Sequence, residues 1–184
     1  MQTIAYTNEI LSELTRTLKQ VDEQETEQLT EAVWNAGKVF VAGGGRSGFM
    51  AKAFVMRLMH IGLNPYVVGE TVTPNLEPGD LFIIGSGSGE TKSLVMMTEK
   101  AKDIGATIAA VTTNPGSSIG QLADIHVNVP AQAKGENTSG KSVQPMGSLF
   151  EQALLLIYDA VVMRLMEKKE TSSGTMYGRH ANLE

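Results

Sequence analysis

Short apolar runs in the middle of this chain each hand over to glycine and then to a helix-forming stretch. Val39-Phe40-Val41-Ala42 runs into Gly43-Gly44-Gly45, and Leu81-Phe82-Ile83-Ile84 runs into Gly85-Ser86-Gly87-Ser88-Gly89. Tyr66-Val67-Val68, Thr107 to Val111 and Ile125 to Val129 are three further strand candidates. Strands that are apolar on both faces belong in a parallel sheet covered by helices on both sides. Helices are expected over Ser47 to Ile61, Thr91 to Ile104, a short piece near 117–122, and 146–168. This alternation predicts an α/β chain, a three-layer doubly wound five-stranded parallel sheet in the flavodoxin-like order 2-1-3-4-5.

Two helices precede the first strand. Ile4, Ile10, Leu11, Leu14 and Leu18 recur at roughly helical spacing over 2–19. Asp22 reads as the N-cap of a second helix, with Glu25 three residues on to complete a capping box and Gly37 to stop it after Ala36. These helices cover a sheet edge or meet another subunit. With 184 residues, one domain with a substantial core is expected over 1–184. It divides into helices over 1–36, an α/β core over 38–168 and a tail over 169–184.

The net charge of −5 leaves no broad basic stripe, so nucleic acid is not an expected partner. The chain has no cysteine, which excludes disulfides and thiolate metal sites. Met1 to Ile10 lacks the basic start and apolar run of a signal peptide, and no apolar stretch has bilayer-spanning length. The chain therefore reads as cytoplasmic, with no membrane partner.

The loop Gly43-Gly44-Gly45-Arg46-Ser47-Gly48 matches G-x-G-x-x-G between a strand and a helix. That pattern occurs in dinucleotide sites, and also in tight turns that bind nothing. Arg46 and Ser47 add a cation and a hydroxyl that the dinucleotide fingerprint does not need, although Glu70 stands where a ribose-binding acid would. The second loop, Gly85-Ser86-Gly87-Ser88-Gly89-Glu90-Thr91, is more informative. Its glycines let backbone N–H groups approach a ligand, the following helix start favours an anion, and Ser86, Ser88 and Thr91 add hydroxyl donors. It does not end in the Walker pattern, so a monophosphate suits it better than a nucleoside triphosphate. The alternative is a serine-rich turn with a capped helix. In the order 2-1-3-4-5, strands one and three are neighbours, and both loops open on the crevice where such sheets bind ligands.

Ser86 to Thr91 resembles the Ser-x-Ser-Gly-x-Thr phosphate loop of the sugar isomerase (SIS) domain family. Other stretches resemble its 6-phospho-3-hexuloisomerase branch. They are Ala42 to Gly48, Met56 to His60, Gly85 to Ser93, Gln144 to Glu151 and the tail His180 to Glu184. The resemblance covers essentially the whole chain. It implies interconversion of D-arabino-3-hexulose 6-phosphate and fructose 6-phosphate, in ribulose-monophosphate formaldehyde metabolism. It also implies a homotetramer and no required metal or other cofactor.

Moving a carbonyl between C3 and C2 passes through an enediolate. It needs a base, a holder for the developing oxyanion and a phosphate anchor. Glu151, matching the family's candidate glutamate, is the expected base, with a carboxylate complementing the helix dipole as the alternative. His60 is expected to polarise the carbonyl or relay the proton, against a packed histidine. His180 is expected to join the catalytic set from a tail docked onto a neighbouring subunit, against a solvated tail. His126 reads as structural, and Arg57 with Glu70 as a structural pair. Gly45, Arg46, Ser47, Ser86, Gly87, Ser88, Gly89, Glu90 and Thr91 are the expected substrate and phosphate contacts. The polar stretch from Ala131 to Pro145 is expected to be a mobile loop near the site. Two other classes stay open, a phosphosugar sensor module and a nucleotide-cofactor binder.

Overall fold

The computed structural model describes residues 2–131 and 142–183. The sequence folds in the order α1 (Thr3–Leu18), α2 (Glu23–Asn35), β1 (Val39–Gly43), α3 (Arg46–Ile61), β2 (Pro65–Val67) and β3 (Leu81–Gly85). Then come α4 (Lys92–Ile104), β4 (Thr107–Thr112), α5 (Ser118–Leu122), β5 (Ile125–Asn128), α6 (Ser148–Lys168) and α7 (Ser173–Tyr177). The five strands form one sheet in the order β2-β1-β3-β4-β5, every pair parallel.

Successive residues of a strand point to opposite faces, and both faces here are apolar. Val39, Val41, Leu81, Ile83, Ala109 and Val111 pack with α1, α2, α3 and α6. Phe40, Ala42, Phe82, Ile84, Ile108 and Ala110 pack with α4 and α5. The Tyr158 ring lies parallel to Phe54 at 4.3 Å between centroids, which joins α6 to α3. Gly43 sits directly opposite Gly85 in the register of β1 and β3. Both glycine loops therefore leave the sheet side by side.

The element boundaries depart from the sequence expectation in ways that have physical reasons. Asp22 caps α2 by accepting from Gln24 N at 2.7 Å. Glu25, however, does not complete the box, because its carboxylate accepts from Asn128 N at 2.7 Å and ties α2 to β5. Gly37 does not stop α2; the helix ends on Asn35 with Ala36 already extended. The last long helix begins at Ser148 rather than 146, since Met146 takes a left-handed φ of 58°. Helix α7 has no clear apolar period and was not expected. Most of the proposed loop from Ala131 to Pro145 lies outside the described residues.

Candidate active site

The turn after β1 is tight. A Cβ on Gly43 would lie 2.9 Å from the backbone of Ser47 and Gly48, and one on Gly48 would lie 2.7 Å from Gly43 O. These two glycines let α3 start close against the strand and leave Arg46 and Ser47 at the helix start to face the cleft.

The loop after β3 is held from behind by β4 and α5. Gly87 O accepts from Thr113 N at 3.1 Å, Thr113 Oγ1 at 2.8 Å and Thr112 Oγ1 at 3.1 Å. Ser86 Oγ accepts from Gly89 N, and Ser88 Oγ from Glu90 N, both at 3.2 Å. Gly89 has φ +65°, and its carbonyl accepts from Ile119 N. Among the described residues, the N–H groups of Gly87, Ser88 and Thr91 have no protein acceptor. Thr91 is the N-cap of α4, where the helix dipole also favours an anion.

These loops form two walls of a cleft of about 510 Å³, and the segment from Pro145 to Glu151 forms the third. Gly45, Arg46, Ser47, Ser86, Gly87, Ser88, Thr91 and Glu151 all line it. Arg46 Nη1 lies 2.9 Å from Glu151 Oε2 and donates to Ser148 Oγ at 2.8 Å. The Glu151 side chain is 18% exposed, so its carboxylate is largely covered while still lining the cleft. Anion donors thus stand on one wall and a carboxylate on another. That arrangement suits proton abstraction from a small phosphorylated molecule.

Other expected contacts lie elsewhere. Gly89 is turned toward α5, where a Cβ would meet Ser117 Oγ at 1.9 Å. Glu90 points the same way, accepting from Ser118 N at 2.8 Å and Ser118 Oγ at 2.7 Å. These bonds hold its carboxyl below the usual range. It braces the loop after β3 from outside the cleft.

His60 and His180 meet each other, with ring centroids 5.5 Å apart, but at the C-terminal end of α3. Arg46 opens that helix, so the histidines stand roughly 20 Å from the cleft at 1.5 Å per residue. Arg57 does not pair with Glu70: its Nη1 lies 3.3 Å from His60 Nδ1, while Glu70 meets Lys52 at 3.3 Å. His126 Nε2 sits 2.7 Å from Gly120 O, the structural contact expected of it. Thr112, Thr113, Ser148 and Phe150 were not singled out from sequence. For Ser148 and Phe150 the signal was present in the stretch Gln144 to Glu151. For the threonines, only the β3–β4 pairing reveals the contact. Among the described residues, no group of three or more His, Asp or Glu side chains is placed to hold a metal. Nor, among them, is any helix long and apolar enough to cross a membrane.

Comparison with known proteins finds relatives that match along nearly the whole chain. The family model of the SIS domain matches residues 32–156. A 3-hexulose-6-phosphate isomerase of Bacillus subtilis is 53% identical over 185 aligned positions, covering 100% of both chains. The Mycobacterium gastri protein of that name is 43% identical, covering 95% of this chain and 88% of its own. A Methanococcus jannaschii crystal structure, from which 3-hexulose-6-phosphate isomerase function was inferred, superposes with a TM-score of 0.85 at 30% identity. It covers 98% of this chain and 99% of that one.

Proposed function

The chain belongs to the SIS domain family, and from that premise we propose that it is a ketose-phosphate isomerase converting D-arabino-3-hexulose 6-phosphate to fructose 6-phosphate and back. The observation that carries this reading is the convergence, on one cleft, of a braced phosphate loop and the Glu151 carboxylate. The relatives named for this reaction, matched along the whole chain, supply the substrate.

The phosphate is bound by the N–H groups of Gly87, Ser88 and Thr91 with the hydroxyls of that loop, which fixes the distance to the reacting carbons. Glu151 removes the proton on C2, the C2–H electrons form a C2=C3 double bond, and the C3 carbonyl oxygen takes up the negative charge. Arg46, held 2.9 Å from Glu151, is the cation nearest that developing charge. The proton then returns to C3, the hydroxyl proton passes from O2 to O3, and the carbonyl stands at C2. Electrons and protons balance within the sugar, so the scheme calls for no redox partner.

His60 and His180 are too far from the cleft of their own chain to touch its substrate. We assign them to a neighbouring subunit's site in a homotetramer. Exposed apolar pairs at seven-residue spacing support assembly, Ile4 and Leu11 on α1, Phe49 and Met56 on α3, and Leu156 and Met163 on α6. The pathway served is ribulose-monophosphate formaldehyde metabolism, in the cytoplasm.

Proton NMR of fructose 6-phosphate in D2O tests the reaction. The C3 proton signal is expected to disappear as deuterium enters, with 3-hexulose phosphate appearing. Unchanged fructose 6-phosphate would refute isomerisation. Glu151→Gln is expected to bind substrate normally and to lose roughly 10²–10⁴ of kcat, the usual contribution of a general base. Normal turnover in that variant would remove Glu151 from the mechanism.

A further inference from the structure

Glu13, in the third turn of α1, is only 3% exposed. A buried carboxylate is costly unless donors surround it. Each of the donors found here comes from one short segment far along the chain. Ser142 Oγ donates to Oε2 at 2.8 Å, Val143 N to Oε1 at 2.7 Å, and Gln144 Nε2 to Oε2 at 3.0 Å. The segment also closes on itself, with Gln144 N donating to Ser142 Oγ at 3.1 Å. Burial alone would raise the Glu13 pKa; the Gln144, Val143 and Ser142 hydrogen bonds and the charge of Arg16 outweigh it and hold the carboxyl below its usual range.

The residues that follow this clamp are the third wall of the cleft. Pro145, Met146, Gly147 and Ser148 line it, and Met146 holds its left-handed φ of 58° there. Ser148 then accepts from Arg46, which holds Glu151. An unbroken series of contacts thus runs from α1 to the carboxylate, while α1 itself contributes nothing to the cleft lining.

We propose that Glu13 is a positioning residue for the isomerisation: its carboxylate clamps residues 142–144 and so sets the wall that aligns Arg46 and Glu151. This inference rests on the isomerase reading above. A purely stabilising contact would not need a charge at this place, since apolar packing does that work without desolvating a carboxylate. Three donors converging from different directions need two acceptor oxygens, which an amide does not offer. The phosphate loop is braced by β4 and α5 and does not touch the clamp. Loss of Glu13 should therefore leave phosphate affinity intact and impair the chemical step.

Glu13→Gln is the variant to measure, at a temperature where it and the wild type are both folded. The expected result is a fall in kcat on the order of tenfold with KM changed less than about twofold, since small misalignments of reacting groups cost rate before affinity. Wild-type kcat in Glu13→Gln would overturn the proposal, and so would a loss confined to KM or to melting temperature. Should Glu13→Gln fail to fold, Gln144→Ala removes a donor from the other side of the clamp and is expected to show the same split. Amide hydrogen exchange reads the clamp independently of any substrate. Residues 143–148 should exchange faster in the variant while 86–91 do not, and unchanged exchange at 143–148 would overturn the clamp. An inactive wild type with faster exchange at 143–148 in the variant would instead overturn the isomerase reading and leave the clamp standing.

Discussion

His60 sits 4% exposed in the last turn of α3, between the Arg57 guanidinium and the stacked ring of His180. Burial first, then the charges of Arg57 and His180, hold its pKa below the ordinary imidazole value. A helix C-terminus normally favours a protonated histidine. Here Arg179 already donates to the carbonyls of His60 and Ile61, both at 3.3 Å, so that favour is taken up. In the unfolded chain a histidine titrates near 6.5, while the folded one titrates lower. Between those two values the unfolded state binds more protons, so stability is full above about pH 6.5 and declines as pH falls toward the folded pKa. Urea unfolding at pH 7.5 and 5.5 checks this. His60→Gln is expected to shrink the loss between the two conditions, and an unchanged slope would place the titration elsewhere.

Among the elements, the loop between β3 and α4 depends on its seat against α5. Gly89 is in left-handed backbone, and a Cβ there would overlap the Ser117 side chain, which itself accepts from Gly120 N to cap α5. Gly89→Ala must therefore strain the loop and displace that cap together. The left-handed backbone alone costs roughly 1–2 kcal/mol for an alanine, and loss of the serine cap about 1 kcal/mol. The expected outcome is a protein less stable by about 2–3 kcal/mol in denaturant titration. A raised KM should accompany it, because Gly87 and Ser88 shift with the loop. The same elements carry Glu90 away from the cleft, so Glu90 acts on the loop's shape. The Glu25 contact with Asn128 plays a comparable part at the other edge, where a helix acid satisfies a strand donor.

For the whole molecule, the distance between the two ends of α3 is decisive. One end meets the cleft and the other carries the histidine pair, so both can serve one substrate only across a subunit boundary. Mixing subunits tests this. Glu151→Gln and His60→Ala proteins, each impaired alone, are expected to regain up to about a quarter of wild-type activity when unfolded and refolded together, since mixed assemblies of the proposed tetramer would contain some intact sites. Absence of any recovery would confine catalysis to single chains and remove His60 from the site. The tail supports the histidine end, with α7 against α3 and Tyr177 6.1 Å from His180.

Much of this architecture was legible in the chain itself. Apolar runs ending in glycine marked the strands and the two cleft loops, because strand burial and turn chemistry are local properties of a few neighbouring residues. The order 2-1-3-4-5 followed from five apolar strands alternating with helices, and it placed both loops on one crevice. Arg46 and the serines of the second loop were singled out on the same basis, and Glu151 by its match to the family's candidate glutamate. What sequence did not reveal depends on contacts between distant positions. Arg46 and Ser148 are 102 positions apart, and Glu13 and Gln144 are 131 apart. Nothing in a local pattern says that the acid in α1 will meet the cleft wall or that Glu90 will turn to α5. Those placements are decided when the helices pack on the sheet, because only packing determines which buried polar group must find which partner.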